Sequence, residues 1–310
     1  MSQKQKNIRQ LIILSVLLVL TVVVVMIDGF DYDRNKFTLD ENSVITTVVL
    51  EGNGFTNRFE YINGAWEVNG KYLLDQGMRD VFFAMLSRTE VKRPVANAER
   101  DSIASFLRNE GVKVSILNNA DTIKTYFAGG NKNRFQSFFM TQENEPYLVQ
   151  IPGYQSYIAG IFMVDENDWR SRFIWDIDWS SLKTLTVEYE GGRERLEFEY
   201  ENNFMGLKGV ENLDTANMMG YLEYIAYLQT DKFLKDGEIP IYDQMVEAGE
   251  SILTIDVEQI GNRKSSLVLY AQPEGKQYFP GVLNQQQLVL FESSALENMK
   301  AVLSDFELVE

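Results

Sequence analysis

Carboxylates in two neighbouring stretches are the first residues here that could do chemistry. Glu188, Glu197 and Glu199 lie in the alternating apolar–polar runs Leu182–Tyr189 and Glu194–Tyr200. Two carboxyl groups flanking a glycosidic bond are sufficient for glycoside hydrolysis, and no histidine is required. These charges, however, occupy every second position, where an antiparallel strand with one buried face places its solvent-exposed side chains. The pattern therefore predicts a solvated strand face and not a catalytic pair.

A second group of acidic residues lies between positions 165 and 178. Its members are Asp165, Glu166, Asp168, Asp176 and Asp178. Oxygen ligands of this kind suit a hard cation. The competing role is ion pairing, because Arg170 and Arg172 lie in the same segment. The segment lacks the geometry of a cation-binding loop, so we predict no metal site.

The composition excludes several classes of enzyme. The 310 residues include no cysteine and no histidine, which rules out thiol nucleophiles, disulfides, Ser-His-Asp triads and imidazole-bound metals. Glycine pairs at Gly52-Asn53-Gly54 and Gly191-Gly192 connect strand to strand, whereas a phosphate-binding loop leads from a strand into a helix. We therefore expect no catalytic residue, no cofactor and no enzymatic activity.

Tryptophan and arginine are concentrated in the segment that contains the second acidic group. The candidate partner-binding residues are Trp169, Arg170, Arg172, Trp175 and Trp179. The spacings of the tryptophans do not place them on one helical face. One interpretation is mutual packing where two modules meet, because large aromatics supply much of the buried area there. The other is a partner-docking surface, because Trp and Arg are enriched at interface hot spots.

The segment that places the chain in the cell runs from Leu11 to Ile27 and is apolar except for Ser15 and Thr21. Extended back to Ile8, it forms a helix about 30 Å long at about 1.5 Å per residue, enough for a bilayer core. A secretory signal peptide is the alternative, but its apolar part is usually about 7–15 residues and ends in small residues that are absent here. We predict an uncleaved membrane anchor, represented by Leu11, Leu14, Leu18, Val22 and Val25.

Charge predicts the orientation of this anchor. Lys4, Lys6 and Arg9 precede it, and the sequence that follows it is acidic. Basic residues stay on the cytoplasmic side, so we expect a cytoplasmic amino end and a periplasmic bulk in the inner membrane of a bacterium. The net charge of −16 also argues against nucleic acid as a partner, because binding its phosphates requires clustered Lys and Arg.

The remaining residues have the pattern of an α+β fold. Val44–Leu50 and Phe55–Tyr61 predict a hairpin around Gly-Asn-Gly, and Asp75–Ser87 and Ala98–Asn109 predict helices. Hairpins with helices grouped between them are typical of antiparallel sheets. The expected organisation is residues 1–30 as cytoplasmic tip and anchor, 31–43 as stalk, 44–164 as first module, 165–181 as inter-module segment and 182–310 as second module.

The second module repeats the order of elements in the first. A hairpin at Leu182–Tyr189 and Glu194–Tyr200 is followed by an amphipathic helix at Leu213–Leu228 and a short helix after Pro240. Few residues are identical between the two copies. The shared order and glycine positions predict an internal duplication.

The segment Asp168–Trp175, DWRSRFIW, is one element of a longer pattern that extends over most of the chain. An anchor, a hairpin, Trp66-Glu67-Val68, two helices, strands, a W-R-x-R-x-hydrophobic joint and a second copy together resemble the bacterial family of unknown function called DUF4340. The second copy departs from the first, since Phe204-Met205-Gly206-Leu207 replaces the W-x-V element.

This resemblance covers nearly the whole chain. It implies a single-pass membrane protein with a periplasmic, duplicated α+β region, no established enzyme activity and no catalytic residues. It also implies protein partners in a membrane complex, such as ABC-2-type exporters and auxiliary subunits related to gliding-motility transporters.

The sequence and the resemblance leave three functions open for this chain. The leading hypothesis is a non-enzymatic accessory or scaffold subunit that is anchored in the membrane and presents its modules to protein partners. The alternative is a periplasmic module that binds a glycan or a peptide in a cleft between the modules. A carboxylate-based hydrolase is the third.

Overall fold

A computed structural model describes residues 3–27, 32–40, 42–131, 133, 135–154, 157–175, 177, 181–190, 195–201 and 204–308. The chain is an α+β protein with two antiparallel sheets. Its helices are α1 (Gln3–Ile27), α2 (Gln76–Arg88), α3 (Asn97–Glu110), α4 (Glu166–Trp169), α5 (Thr215–Ala226), α6 (Pro240–Ala248) and α7 (Ser293–Met299). Short 3-10 helices occur at Ile158–Met163 and Leu303–Phe306.

The strands of the first sheet are β1 (Thr47–Gly52), β2 (Phe55–Ile62), β3 (Ala65–Val68), β4 (Tyr72–Leu73), β5 (Glu90–Pro94), β6 (Val112–Asn118), β7 (Asp121–Gly130), β8 (Ser137–Met140) and β9 (Pro146–Gln150). Those of the second are β10 (Leu182–Tyr189), β11 (Arg195–Glu201), β12 (Phe204–Leu207), β13 (Lys232–Leu234), β14 (Ser251–Gln259), β15 (Lys264–Tyr270), β16 (Tyr278–Leu283) and β17 (Gln287–Glu292).

The two sheets share one strand order. The first runs β4-β3-β2-β1-β6-β7-β8-β9-β5, and the second runs β12-β11-β10-β14-β15-β16-β17-β13. Paired by position, β10 to β12 correspond to β1 to β3, β14 to β17 correspond to β6 to β9, and β13 corresponds to β5. Only β4 has no counterpart among the described strands. The predicted hairpins and helices are present, whereas β4, β5, β13 and β16 were not predicted from the sequence.

Contacts along the chain define two compact units. The first contains residues 1–58 and 80–163, and the second contains residues 59–79 and 164–310. Residues 59–79, which the sequence analysis places in the first module, thus fall in the second unit.

The core of the second unit follows from alternation in its strands. In β10 and β11, Leu185, Val187, Leu196 and Phe198 are buried, and α5 covers the same core. Helix α5 begins after Asp214, whose carboxylate accepts hydrogen bonds from the N–H groups of the first helical turn. The apolar face of this sheet therefore fixes which side of each strand is solvated.

Aromatic side chains form much of the core of the first unit. The ring of Phe37 lies 5.4 Å from that of Tyr126, 5.5 Å from Phe139 and 5.8 Å from Tyr147, each in an edge-on arrangement. Burial raises the pKa of the Tyr126 phenol above its ordinary value. Residues 36–39, within the predicted stalk, therefore contribute to a packed core.

Helix α1 is long and apolar enough to cross a membrane. Its 25 residues span about 37 Å at about 1.5 Å per residue. Within the window Lys6–Val23 none of the residues is buried. Leu11, Leu14, Leu18 and Val22 are exposed there, and Val25 belongs to the same helix.

Candidate functional site

The segment 170–175 has a fixed backbone position inside the second unit. The N–H of Ser171 donates to the carbonyl of Leu73 at 2.7 Å, and the N–H of Ile174 donates to the carbonyl of Leu228 at 2.9 Å. The segment is therefore hydrogen-bonded to edge strand β4 on one side and to the chain after α5 on the other. This arrangement determines where its side chains point.

Trp169 lies at the centre of this region and is fully buried. Its ring centroid is 4.8 Å from that of Phe59. Its indole Nε1–H donates to the carbonyl of Val164 at 3.2 Å. The indole thus fills space between segments distant in sequence, and its polar atom has an acceptor.

Arg170 is a buried cation held between two aromatic rings. Its guanidinium carbon lies 3.7 Å from the centroid of Tyr72 and 3.5 Å from that of Phe233. Its Nη1 donates to Oε1 of Gln287 at 3.1 Å. Burial lowers the pKa of Arg170, while Tyr72 and Glu166 oppose this shift. A guanidinium stays protonated despite such a shift, so stacking and hydrogen bonding must offset its desolvation.

Burial argues against a docking surface made of the predicted residues. Trp169, Arg170 and Trp175 are only 0%, 8% and 6% exposed. Trp175 belongs to the main core cluster of the second unit. Arg172 is exposed, and Trp179 lies outside the described residues. The first three stabilise the interior of the unit, leaving Arg172 as the one described member of the set at the surface.

The segment also forms one wall of a groove within the second unit, with a volume of about 390 Å³. Its rim carries two exposed rings, Phe173 and Tyr227, with centroids 6.2 Å apart. The lining residues are Lys71, Tyr72, Leu73, Arg170, Ser171, Phe173, Ile174, Trp175, Ile177, Ala226 and Tyr227. We call this cavity the aromatic groove.

Two buried N–H groups beside the aromatic groove lack an acceptor among the described residues. They are Nε of Arg170 and Nε1 of Trp175. A buried polar group left without a hydrogen bond costs about 1–3 kcal/mol, and more when it is charged. Such groups are uncommon in folded proteins, so their occurrence on two lining residues of one cavity marks this cavity as a candidate binding site.

The acidic residues of the inter-module segment pair differently from the prediction. The carboxylate of Asp165 contacts Nζ of Lys235 at 2.5 Å and not the nearby arginines. Burial alone would raise the pKa of Asp165, but the hydrogen bonds from Lys235 and the N–H of Asn167 lower it overall. Glu166 accepts a 2.6 Å hydrogen bond from the side chain of Asn69.

No described group of three or more acidic side chains is placed to hold a metal ion. Asp168 is exposed, and Asp176 and Asp178 lie outside the described residues.

The carboxylates of the second hairpin lie on a charged face. Nζ of Lys208 contacts Glu197 and Glu199 at 2.7 Å each, and these hydrogen bonds raise the pKa of Lys208. The intervening Phe198 is buried, and Glu188 is exposed. The alternation predicted from the sequence is therefore present in the strand.

Tyr72, Phe233 and Gln287 were not predicted from the sequence as neighbours of Arg170. One local signal was available: Asn69-Gly70, in the connection between β3 and β4, has positive φ at both residues, which is typical of a type I′ turn. That turn places Tyr72 on an edge strand. No local pattern connects Phe233 or Gln287 to residue 170.

No family model, no curated protein and no solved structure matches this chain. The resemblance to DUF4340 therefore stays a prediction.

Proposed function

We propose that the chain is a single-pass inner-membrane protein that works as a non-enzymatic accessory or scaffold subunit of a membrane complex. The observation that carries this proposal is helix α1, where no residue of the window Lys6–Val23 is buried. An apolar helix of this length is stabilised by lipid or by other membrane helices. Because Lys4, Lys6 and Arg9 precede the apolar part of the helix and the sequence directly after it is acidic, the proposed orientation keeps the amino end in the cytoplasm and the residues after the helix in the periplasm.

The strand order that the two sheets share, apart from β4, supports an internal duplication. A duplicated region on one anchor gives a scaffold two surfaces, and each surface can bind a different partner. The absence of histidine and cysteine from the sequence supports a binding role over catalysis. The resemblance to DUF4340 makes an ABC-2-type exporter the first class of partner to test.

The orientation can be tested cleanly because the chain has no cysteine. Ser2→Cys and Lys276→Cys place single thiols before the helix and on an exposed turn of the second unit. With a maleimide that cannot cross the inner membrane, we expect Lys276→Cys to react in cells with a permeabilised outer membrane and Ser2→Cys to react only after lysis. The reverse pattern would overturn the orientation, and recovery of both variants in the soluble fraction would overturn the anchor.

The scaffold role needs a separate experiment. A photo-crosslinking residue at Leu14 should capture a multi-spanning membrane protein in native membranes, identified by mass spectrometry. Replacing Leu11–Ile27 with an unrelated membrane helix of equal length is the matched control for tethering alone. A chain that is monomeric in mild detergent and gives no crosslink at any anchor position would exclude the scaffold role.

A further inference from the structure

The aromatic groove carries an excess of positive charge. Among its described lining residues, Lys71 and Arg170 are charged and none is acidic. This contrasts with the whole chain, whose net charge is −16. A local cationic patch on an acidic protein favours an anionic ligand over a neutral or cationic one.

The two buried donors that lack an acceptor among the described residues also favour an anionic ligand. Nε of Arg170 and Nε1 of Trp175 can only donate, so a ligand that satisfies them must supply oxygen acceptors. A carboxylate has two such oxygens and binds arginine through parallel hydrogen bonds. Both N–H groups are buried although their residues line the groove, so a shift of these side chains must accompany binding.

The other lining residues are mainly apolar or aromatic. Phe173 and Tyr227 are exposed at the rim, and Leu73, Ile174 and Ile177 add aliphatic surface. A groove of about 390 Å³ has the size of a site for a small organic molecule. Its chemistry therefore combines an apolar compartment with a cationic, donor-rich wall.

We propose that the aromatic groove binds a small carboxylic acid with an apolar body. The carboxylate contacts Arg170 and Trp175, with Lys71 adding charge from the exposed side. The apolar body lies against Phe173 and Tyr227. This site is additional to the scaffold role and does not depend on the orientation of the anchor.

Isothermal titration calorimetry on the full chain in lipid nanodiscs tests this site. The probes are N-acetyl-L-phenylalanine and N-acetyl-L-phenylalanine amide, which differ in the carboxylate. We expect the acid to bind at least about tenfold more tightly, because it alone offers charge-assisted hydrogen bonds. Equal affinity for the two compounds, or no binding of either, would overturn the proposal.

Trp175→Phe gives a sharper test because it removes the indole N–H and keeps most of the ring. We expect weaker binding of the acid, by about fivefold or more. Thermal stability should fall only because the smaller ring leaves a void in the core, since the removed donor has no acceptor among the described residues. Trp66→Phe, at a half-buried position on β3, is the matched control and should leave affinity unchanged. Unchanged affinity in Trp175→Phe would remove the indole from the site.

Lys71→Gln should reduce affinity for the acid but not for the amide, with Lys276→Gln as a matched exposed control. A hexapeptide ending in phenylalanine distinguishes the source of the carboxylate. If it binds as well as the free acid, the site accepts a peptide carboxyl terminus; if only the free acid binds, the ligand is a metabolite-sized acid. Loss of affinity for both compounds in Lys71→Gln would contradict the assigned role of this lysine.

Discussion

The guanidinium of Arg170 lies 3.5 Å from the centre of the Phe233 ring. Phe233 belongs to β13, the edge strand of the second sheet. On its other face the same guanidinium meets Tyr72 of β4, the edge strand of the first sheet. One side chain therefore joins strands far apart in sequence, and its removal should loosen the part of the second unit that residues 59–79 form.

Arg170→Lys should lower the free energy of unfolding of the second unit by about 2 kcal/mol. Lysine keeps the charge but loses the planar stacking on two rings and the directed hydrogen bond to Gln287. Hydrogen exchange should accelerate first in Phe59–Arg79. Arg172→Lys is the matched control, and at its exposed position we expect a change within about 0.5 kcal/mol. If both substitutions lowered the free energy of unfolding equally, stacking of Arg170 on the two rings would not contribute to the stability of the unit.

Trp169→Phe should destabilise the second unit by about 2 kcal/mol, measured by thermal unfolding followed by circular dichroism. The substitution leaves a void beside Phe59 and removes the hydrogen bond to the carbonyl of Val164. Trp66→Phe, at a half-buried position, should cost less than about 1 kcal/mol. A larger effect at Trp66 would contradict the central position assigned to Trp169.

Much of the fold could be predicted from the sequence because its signals are local. Alternation identifies β10 and β11, since Leu185 and Val187 in one strand and Leu196 and Phe198 in the other are apolar, buried and separated by polar residues. Strand β16 was missed because Pro280-Gly281 is a dipeptide typical of turns. In the structure it lies within a paired strand, where a Cβ on Gly281 would come within 2.8 Å of Leu269. Glycine at this position leaves room for side chains of the neighbouring strand. The local sequence does not show this, because the neighbouring strand is a separate segment of the chain.

The candidate site was predicted in part. The density of Trp and Arg drew attention to residues 169–175, but the burial of these side chains depends on partners elsewhere in the chain. Arg170 is enclosed by residues about 60 to 120 positions away, and Asp165 pairs with Lys235. Whether a residue of this segment is exposed or buried depends on side chains that are distant in sequence. The spacing of Trp and Arg within the segment therefore could not predict it.

The ion pair of Asp165 predicts a dependence of stability on pH. Its folded pKa is below the ordinary value, so its contribution is present above the unfolded pKa of about 3.9 and is lost as pH falls through the folded pKa. Asp165→Asn should lower stability by about 1 kcal/mol at pH 7, because the group caps α4 and pairs with Lys235 but is partly screened by solvent. Denaturant midpoints measured from pH 7 to pH 3 should converge for the wild type and the variant. Asp168→Asn is the exposed control. If the difference in denaturant midpoint between wild type and Asp165→Asn stayed constant from pH 7 to pH 3, the ionisation of Asp165 would not contribute to stability.

Gly111 and Gly249 each follow the last residue of a helix, but for different reasons. One position needs a left-handed backbone, and the other has no room for a side chain. Gly249 has φ of 75° and open space where a Cβ would lie, so only the left-handed backbone disfavours other residues. Gly111 has φ of −80°, but a Cβ would overlap the carbonyl oxygen of Leu107 and lie 3.0 Å from that of Ala128. Alanine should therefore destabilise at both positions, by about 1 kcal/mol at Gly249 and more at Gly111.

Asparagine distinguishes the two cases because it tolerates the left-handed region but is larger than alanine. We expect Gly249→Asn to recover part of the stability lost in Gly249→Ala, and Gly111→Asn to be at least as unstable as Gly111→Ala. Hydrogen exchange in α3 and α6 reports each helix separately within the intact chain. If asparagine rescued both positions, the close approach of backbone to Gly111 would have no energetic consequence.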